Sequence, residues 1–318
     1  MRKFALAAAL LAVFAPAALA EPVRSAFAGA DPDILAAEER YWIYPTGGEG
    51  LFAWSSADLK RWRKERALLR QRDIGWIEDD RASVHYLWAP DMVSANGRYY
   101  LYYSVGPQNP TPSRIGVAAC VTPAGPCKDS GKPLVTGGDG FEAIDPAVFV
   151  DPASETRYLY AGGSAGAKLR LWVLKPDMVT IEREIAVDTP TGFTEGAFMH
   201  LRGGVYYLSY SSGRWNRGDY QVHYATAPSP TGPWRYRGPI LVSEGNMKGP
   251  GHHSFIEGRD GRWYIAYHRW EGRGGDGPYR GNRRIAIQPI AYLADGTIAP
   301  VRMNRAPPGR GSCSRNRR

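Results

Sequence analysis

After an apolar stretch at the N-terminus, hydrophobic and polar positions alternate with a period of two in short runs. Turn residues break these runs at frequent intervals, and no later stretch keeps the 3.6-residue pattern of a helix. The most regular run is an aromatic strand: Tyr41-Trp42-Ile43-Tyr44, Tyr99 to Ser104, Tyr158-Leu159-Tyr160-Ala161, Tyr206 to Ser211 and Trp263 to Tyr267. Asn96-Gly97, Gly203-Gly204 and Asp260-Gly261 precede three of the copies and predict tight turns. A further strand follows each copy, as at Leu51 to Trp54, Ile115 to Ala118, Leu169 to Trp172, Val222 to Ala225 and Ile285 to Ile287.

The unit repeats every 50 to 60 residues or so, the length of a four-stranded propeller blade. Five units predict an all-β fold, a five-bladed β-propeller with four-stranded antiparallel blades. One conspicuous polar residue stands before each aromatic strand: Asp31, Asp91, Asp145, Glu195 and His252. Its recurrence at one place in the unit puts all five on innermost strands around a common axis.

Composition adds three points. Aromatics are 12% of the 318 residues, with 10 Trp and 19 Tyr, which suits both pleated strands and a sugar-binding surface. Arg2 and Lys3, the apolar run Phe4 to Leu19 and Ala18-Leu19-Ala20 predict a cleaved signal peptide over 1–20, so the protein is expected to be secreted or periplasmic. The net charge is +9, yet Arg305, Arg310, Arg315, Arg317 and Arg318 crowd a Gly/Pro/Ser-rich tail, 305–318, that is expected to be disordered. The remaining basic residues are scattered, so neither a nucleic acid nor, after signal cleavage, a membrane is expected as a partner. The propeller is expected over 21–304, as a monomer. Cys120 and Cys127 flank Pro123-Ala124-Gly125-Pro126, and either bridge the turn or stay unpaired.

Three acids and a histidine converging on one axis suggest glycoside hydrolysis, which needs a protonated acid for the leaving oxygen and a second carboxylate as base or nucleophile. A third acid raises the first one's pKa by repulsion. Each residue alone has a plainer reading. Asp31 and Asp145 stand before Pro as turn formers do, Asp91 suits a turn cap in contact with the neighbouring blade, and His252 suits a structural histidine. The register with the repeat favours the functional reading. Gly162-Gly163-Ser164-Ala165-Gly166 fits the nucleophile-elbow pattern, but that elbow requires a helix next and Leu169 to Leu174 reads as a strand.

The ordered set Ala30-Asp31-Pro32-Asp33-Ile34, Leu87-Trp88-Ala89-Pro90-Asp91, Ile144-Asp145-Pro146-Ala147-Val148-Phe149, Glu195-Gly196, Gly249 to Ser254 and Asn282-Arg283-Arg284 resembles glycoside hydrolase family 43, over about Phe27 to Arg302. The resemblance implies Asp31 as general base, Glu195 as general acid, and Asp145 as the residue that tunes and orients the acid. It implies that Arg283 recognises sugar hydroxyls and that His252 is an axial histidine holding calcium or a water cluster. No cofactor is required beyond such a structural ion. Ala197 stands where many members carry Pro, and Asp33 competes with Asp31 for the role of base, although Pro32 favours Asp31 at the strand start. Trp88 is expected at the substrate. Trp76 and Trp215 either stack on sugar or pack against blades. The expected activity is an inverting, exo-acting arabinofuranosidase or xylosidase on plant-type polysaccharides or oligosaccharides. The alternatives are an endo-acting arabinanase and a non-catalytic carbohydrate-binding propeller.

Overall fold

The computed structural model describes residues 23–164 and 166–303; the expected signal peptide and basic tail lie outside them. Five antiparallel sheets follow one another along the chain. Blade 1 comprises Asp33–Ala37, Arg40–Tyr44, Gly50–Ser56 and Arg63–Arg70. Blade 2 runs through Leu87–Ala95, Arg98–Val105 and Arg114–Cys120. Its outer edge is split between two short strands, Cys127–Asp129 and Val135–Thr136, which both pair with Arg114–Cys120. Blade 3 is Ala147–Val150, Arg157–Ala161, Arg170–Leu174 and Ile181–Ile185. Blade 4 is Glu195–Arg202, Val205–Ser212, Gln221–Ala227 and Arg235–Leu241. Blade 5 takes Lys248–Glu257, Trp263–Trp270 and Arg284–Ile290 from its own unit, and its outermost strand, Ser25–Ala28, from the N-terminal end of the described chain. This strand closes the ring, which the repeat alone did not predict.

Local chemistry explains the blades. Asn96-Gly97 and Gly203-Gly204 all adopt positive φ, so each pair forms a two-residue hairpin whose twist matches its strands. The core lies between blades. One apolar cluster gathers Tyr44, Leu51 and Leu69 of blade 1 against Leu87, Leu101 and Tyr103 of blade 2. Comparable clusters fill the other four junctions. The aromatic strands stitch these junctions through their hydroxyls. Tyr44 donates to the Pro123 carbonyl, Tyr102 to Met178 and Tyr160 to Pro230, each in the outer turn of the next blade. Each such bond contributes about 1 kcal/mol net. Cys120 and Cys127 are bridged, which settles the choice between a bridge and free thiols.

Candidate active site

The inner strands begin at one end of the axis, and four of the five do so through a residue held at positive φ close to the strand start: Asp31 (51°), Ala89 (41°), Asp145 (53°) and His252 (38°). In blade 4 the corresponding residue is Gly196 (62°), immediately after Glu195. A strained backbone of this kind needs an anchor, and the preceding blade supplies it. The N–H of Asp31 donates to His268 Nδ1 (3.1 Å), that of Ala89 to Thr46 Oγ1 (2.8 Å), that of Asp145 to Ser104 Oγ (2.9 Å) and that of His252 to Ser211 Oγ (2.8 Å). The anchors stand at the ends of the aromatic strands or just past them, so the repeat that builds the blades also aims the pit residues.

This register corrects the sequence expectation in two blades, since Gly196 stands where Glu195 was expected, one residue away. Ala89, not Asp91, is the partner of Asp31 in blade 2, and Asp91 matches Asp33. Asp33 Oδ2 accepts the N–H of Met92 and Asp91 Oδ2 accepts that of Val148, so each ties its own inner strand to the next blade. Asp91 therefore makes the neighbouring-blade contact anticipated for it. Burial pushes Asp33 up to about 7, against the Met92 hydrogen bond. Burial and then the Asp33 charge push Asp91 well above the carboxylate range.

Asp31 sits in the opposite electrostatic setting. It is buried, which alone would raise its pKa, but Arg283 above all, then His252, holds it well below the usual range. Arg283 Nη1 reaches Asp31 Oδ1 at 2.8 Å. The Thr46 hydroxyl donates to Oδ2 at 2.6 Å, the direction being set because an ionised carboxylate can only accept, and it accepts the Ala89 N–H in turn. Burial lowers the His268 pKa to about 4, so this anchor stays neutral. His252 Nδ1 lies 3.6 Å from Asp31 Oδ1 and 3.4 Å from Asp145 Oδ2, between the two carboxyls.

Across the pit, Asp145 is pushed well above the carboxylate range by burial first, then by the charges of Glu195 and Asp31. The elevation expected from paired acids thus falls on Asp145 itself. Glu195 Oε1 accepts the hydroxyl of Tyr220 (2.8 Å) and Oε2 that of Ser164 (3.1 Å). Burial and the Glu195 charge raise the Tyr220 pKa, so its proton is kept for donation. Glu195 approaches blade 3 closely because position 163 is glycine: a Cβ there would lie 2.4 Å from Glu195 Cβ.

The rim is aromatic on two sides. Tyr86 stacks on Trp88 (centroids 5.7 Å apart), and the Trp88 ring covers Gly106. Trp215, 46% exposed, stacks on Trp270, and the Arg283 guanidinium lies 5.0 Å from its ring centroid. Trp76 does not reach the pit. It is buried in the junction between blades 1 and 2, donates Nε1 to Asp129 Oδ2 at 3.0 Å and carries Arg114 over its ring, so it packs rather than binds sugar.

The sequence matches the model of glycosyl hydrolases family 43 across residues 20–298. This chain belongs to glycoside hydrolase family 43. It is 36% identical over 296 residues to the β-D-galactofuranosidase xynD of Aspergillus niger, covering 86% of this chain and 82% of that one. It is 31% identical over 280 residues to xylosidase/arabinosidase 43A of Humicola insolens, covering 73% and 78%. Among solved structures it is similar to a family 43 β-xylosidase/α-arabinofuranosidase from a compost microbial metagenome, in complex with xylotriose in a calcium-free form. That likeness has a TM-score of 0.70 at 28% identity, and covers 89% of this chain and 97% of the other.

Membership sharpens two points. The calcium implied by the axial histidine meets a poor donor set here. Calcium takes six to eight oxygen ligands. Around His252 the protein offers an imidazole and two carboxyls, one of them already held by Arg283 and Thr46. No cluster of three or more His, Cys, Asp or Glu among the described residues is arranged to hold a metal. The protein groups alone therefore supply too few oxygens for a calcium cage. Second, the family 43 motifs leave out Thr46, His268, Tyr220 and Ser164. The first two stand at or just past the end of an aromatic strand, so the repeat carried a signal for them. Ser164 was visible only inside the rejected nucleophile-elbow pattern, and Tyr220 stood outside every motif.

Proposed function

We propose that this glycoside hydrolase is an inverting, exo-acting enzyme that releases arabinose or xylose from plant-type polysaccharides or oligosaccharides. The observation that carries the catalytic reading is the opposite tuning of the pit carboxyls. Asp31 is held below the usual carboxylate range, while Asp145, beside Glu195, is pushed well above it. Groups driven apart in this way mark a base and an acid side. Asp31 takes the proton of the attacking water, with Arg283 and Thr46 fixing its oxygens. Glu195 delivers a proton to the leaving oxygen, and Asp145 limits how much negative charge the acid side can hold. Arg283, Trp88 and Trp215 contact the sugar, the rings through their faces. The predicted signal peptide supports export.

A panel of 4-nitrophenyl glycosides tests the sugar, and it includes β-D-galactofuranoside because of the Aspergillus niger relative. Proton NMR of the first sugar released tests the stereochemistry. Inversion is expected; a retained anomeric configuration contradicts the inverting reading. Free monosaccharide from arabinan or xylan supports exo action, oligosaccharides support the endo alternative, and binding without turnover supports the lectin-like one.

A further inference from the structure

The turn Gly162-Gly163-Ser164 contains a hydroxyl that the established family motifs leave unassigned. Ser164 Oγ lies 3.1 Å from Glu195 Oε2, and Gln108 Nε2 of blade 2 donates to the same Oγ at 3.3 Å. Ser164 itself is held at positive φ (47°), a conformation that a serine adopts only under constraint. The other carboxylate oxygen, Oε1, is taken by Tyr220, whose ring is fully buried and packed against Gly251, where a Cβ would lie 2.2 Å from the ring.

We propose that Ser164 is a positioning residue for the acid step, turning its hydroxyl from acceptor to donor as Glu195 releases its proton. This rests on Glu195 being the general acid. Tyr220 has a single hydrogen and gives it to Oε1, which favours Oε1 as the carbonyl oxygen and Oε2, the oxygen facing Ser164, as the bearer of the transferable proton. The Gln108 N–H fills one lone pair of Ser164 Oγ and leaves the other for the Oε2 proton while the acid is loaded. In the chemical step the Oε2–H bond breaks, the proton passes to the glycosidic oxygen, and the bond from that oxygen to the anomeric carbon breaks. Water adds to that carbon and gives its proton to Asp31. The charge left on Glu195 Oε2 then receives the Ser164 hydroxyl hydrogen. A hydrogen bond that strengthens as charge develops accelerates the step that creates the charge.

The test compares Ser164→Ala and Gln108→Ala with the parent enzyme on a 4-nitrophenyl and a methyl glycoside of the sugar it turns over best. Ser164→Ala should lower kcat on the methyl glycoside about tenfold or more, and on the 4-nitrophenyl glycoside by less than about threefold, with KM nearly unchanged. Losing a donor to the ionised form favours the protonated acid, so the alkaline limb of the pH profile should move up by about half a unit or more. Gln108→Ala should shift both readouts in the same direction by less, and provides the test if Ser164→Ala fails to fold. Equal losses on both substrates with an unmoved alkaline limb would overturn the proposal. Glu195→Ala run in parallel separates the failures. If it discriminates between the leaving groups and Ser164→Ala does not, only the Ser164 role falls; if it does not discriminate, the acid assignment falls as well.

Discussion

Replacing Arg283 by Ala should narrow catalysis from the acid side, by raising the pH at which Asp31 takes up a proton. The guanidinium approaches Asp31 Oδ1 at 2.8 Å and is the largest influence opposing the desolvation of this buried carboxyl. Opposite charges about 4 Å apart interact by about 4 kcal/mol at an effective dielectric of 20. Solvent at the part-exposed Arg283 discounts that figure, and an acid beside an arginine is typically depressed by about 1–3 pH units. Asp31 is a depressed carboxylate, so the stability and ionisation it gains from Arg283 are present above the ordinary carboxylate range and lost as pH falls. Without Arg283, only weaker neighbours oppose burial, and Asp31 titrates upward. The acidic limb of kcat/KM on a 4-nitrophenyl glycoside should therefore rise by about 1–3 units. Arg283→Lys should recover part of the shift as a point charge but lose the fork geometry. If Arg283→Ala raises KM while the acidic limb stays in place, Arg283 serves only to bind sugar, and the electrostatic reasoning is refuted.

Other parts of the structure yield sharper tests. Asp33 is raised to about 7, so the stability of its protonated form is complete below about pH 4 and is lost as pH rises through 7. That loss is at most about 4 kcal/mol, so Asp33→Asn should flatten the fall in Tm between pH 4 and 8, and an unchanged slope would contradict it. Gly163→Ala puts a Cβ 2.4 Å from Glu195 Cβ and should cost kcat about 100-fold, because a displacement of about 1 Å suffices for that, while the circular dichroism spectrum stays native. Trp215→Ala should raise KM for oligosaccharides about tenfold or more if the exposed face carries a sugar, as read by initial rates.

The fold was legible because each blade repeats a period-two strand, a turn and an aromatic strand, and a propeller junction rewards the same residues five times over. Tyr44, Tyr102 and Tyr160 each serve the same interblade bond, so the pattern is strong. Closure by Ser25–Ala28 was not legible, since a strand borrowed from the far end of the chain carries no local signal. At the site, Asp31, Asp145, Glu195, His252 and Arg283 come together as their motifs suggested. Asp91 was placed two residues out, because Ala89 holds the strained position without any chemistry to reveal it. Trp76 shows why an aromatic beside a loop is ambiguous: its partner Asp129 comes from the edge strand that starts at the disulfide, more than 50 residues away. Tyr220 and Ser164 reach Glu195 from blade 4 and blade 3 loops, and only the folded ring brings them to it.

The central claim, that Asp31 activates water and Glu195 protonates the leaving group, is tested most directly by measuring kcat for Asp31→Ala and Glu195→Ala across aryl glycosides of graded leaving-group pKa. Asp31→Ala should be inactive at the level of about 10⁴-fold or more on every member, because no leaving group replaces the lost base. Glu195→Ala should retain most of its rate on the best leaving group and fall steeply as the leaving group worsens. A Glu195→Ala variant equally impaired on all of them, together with an active Asp31→Ala variant, would contradict the account.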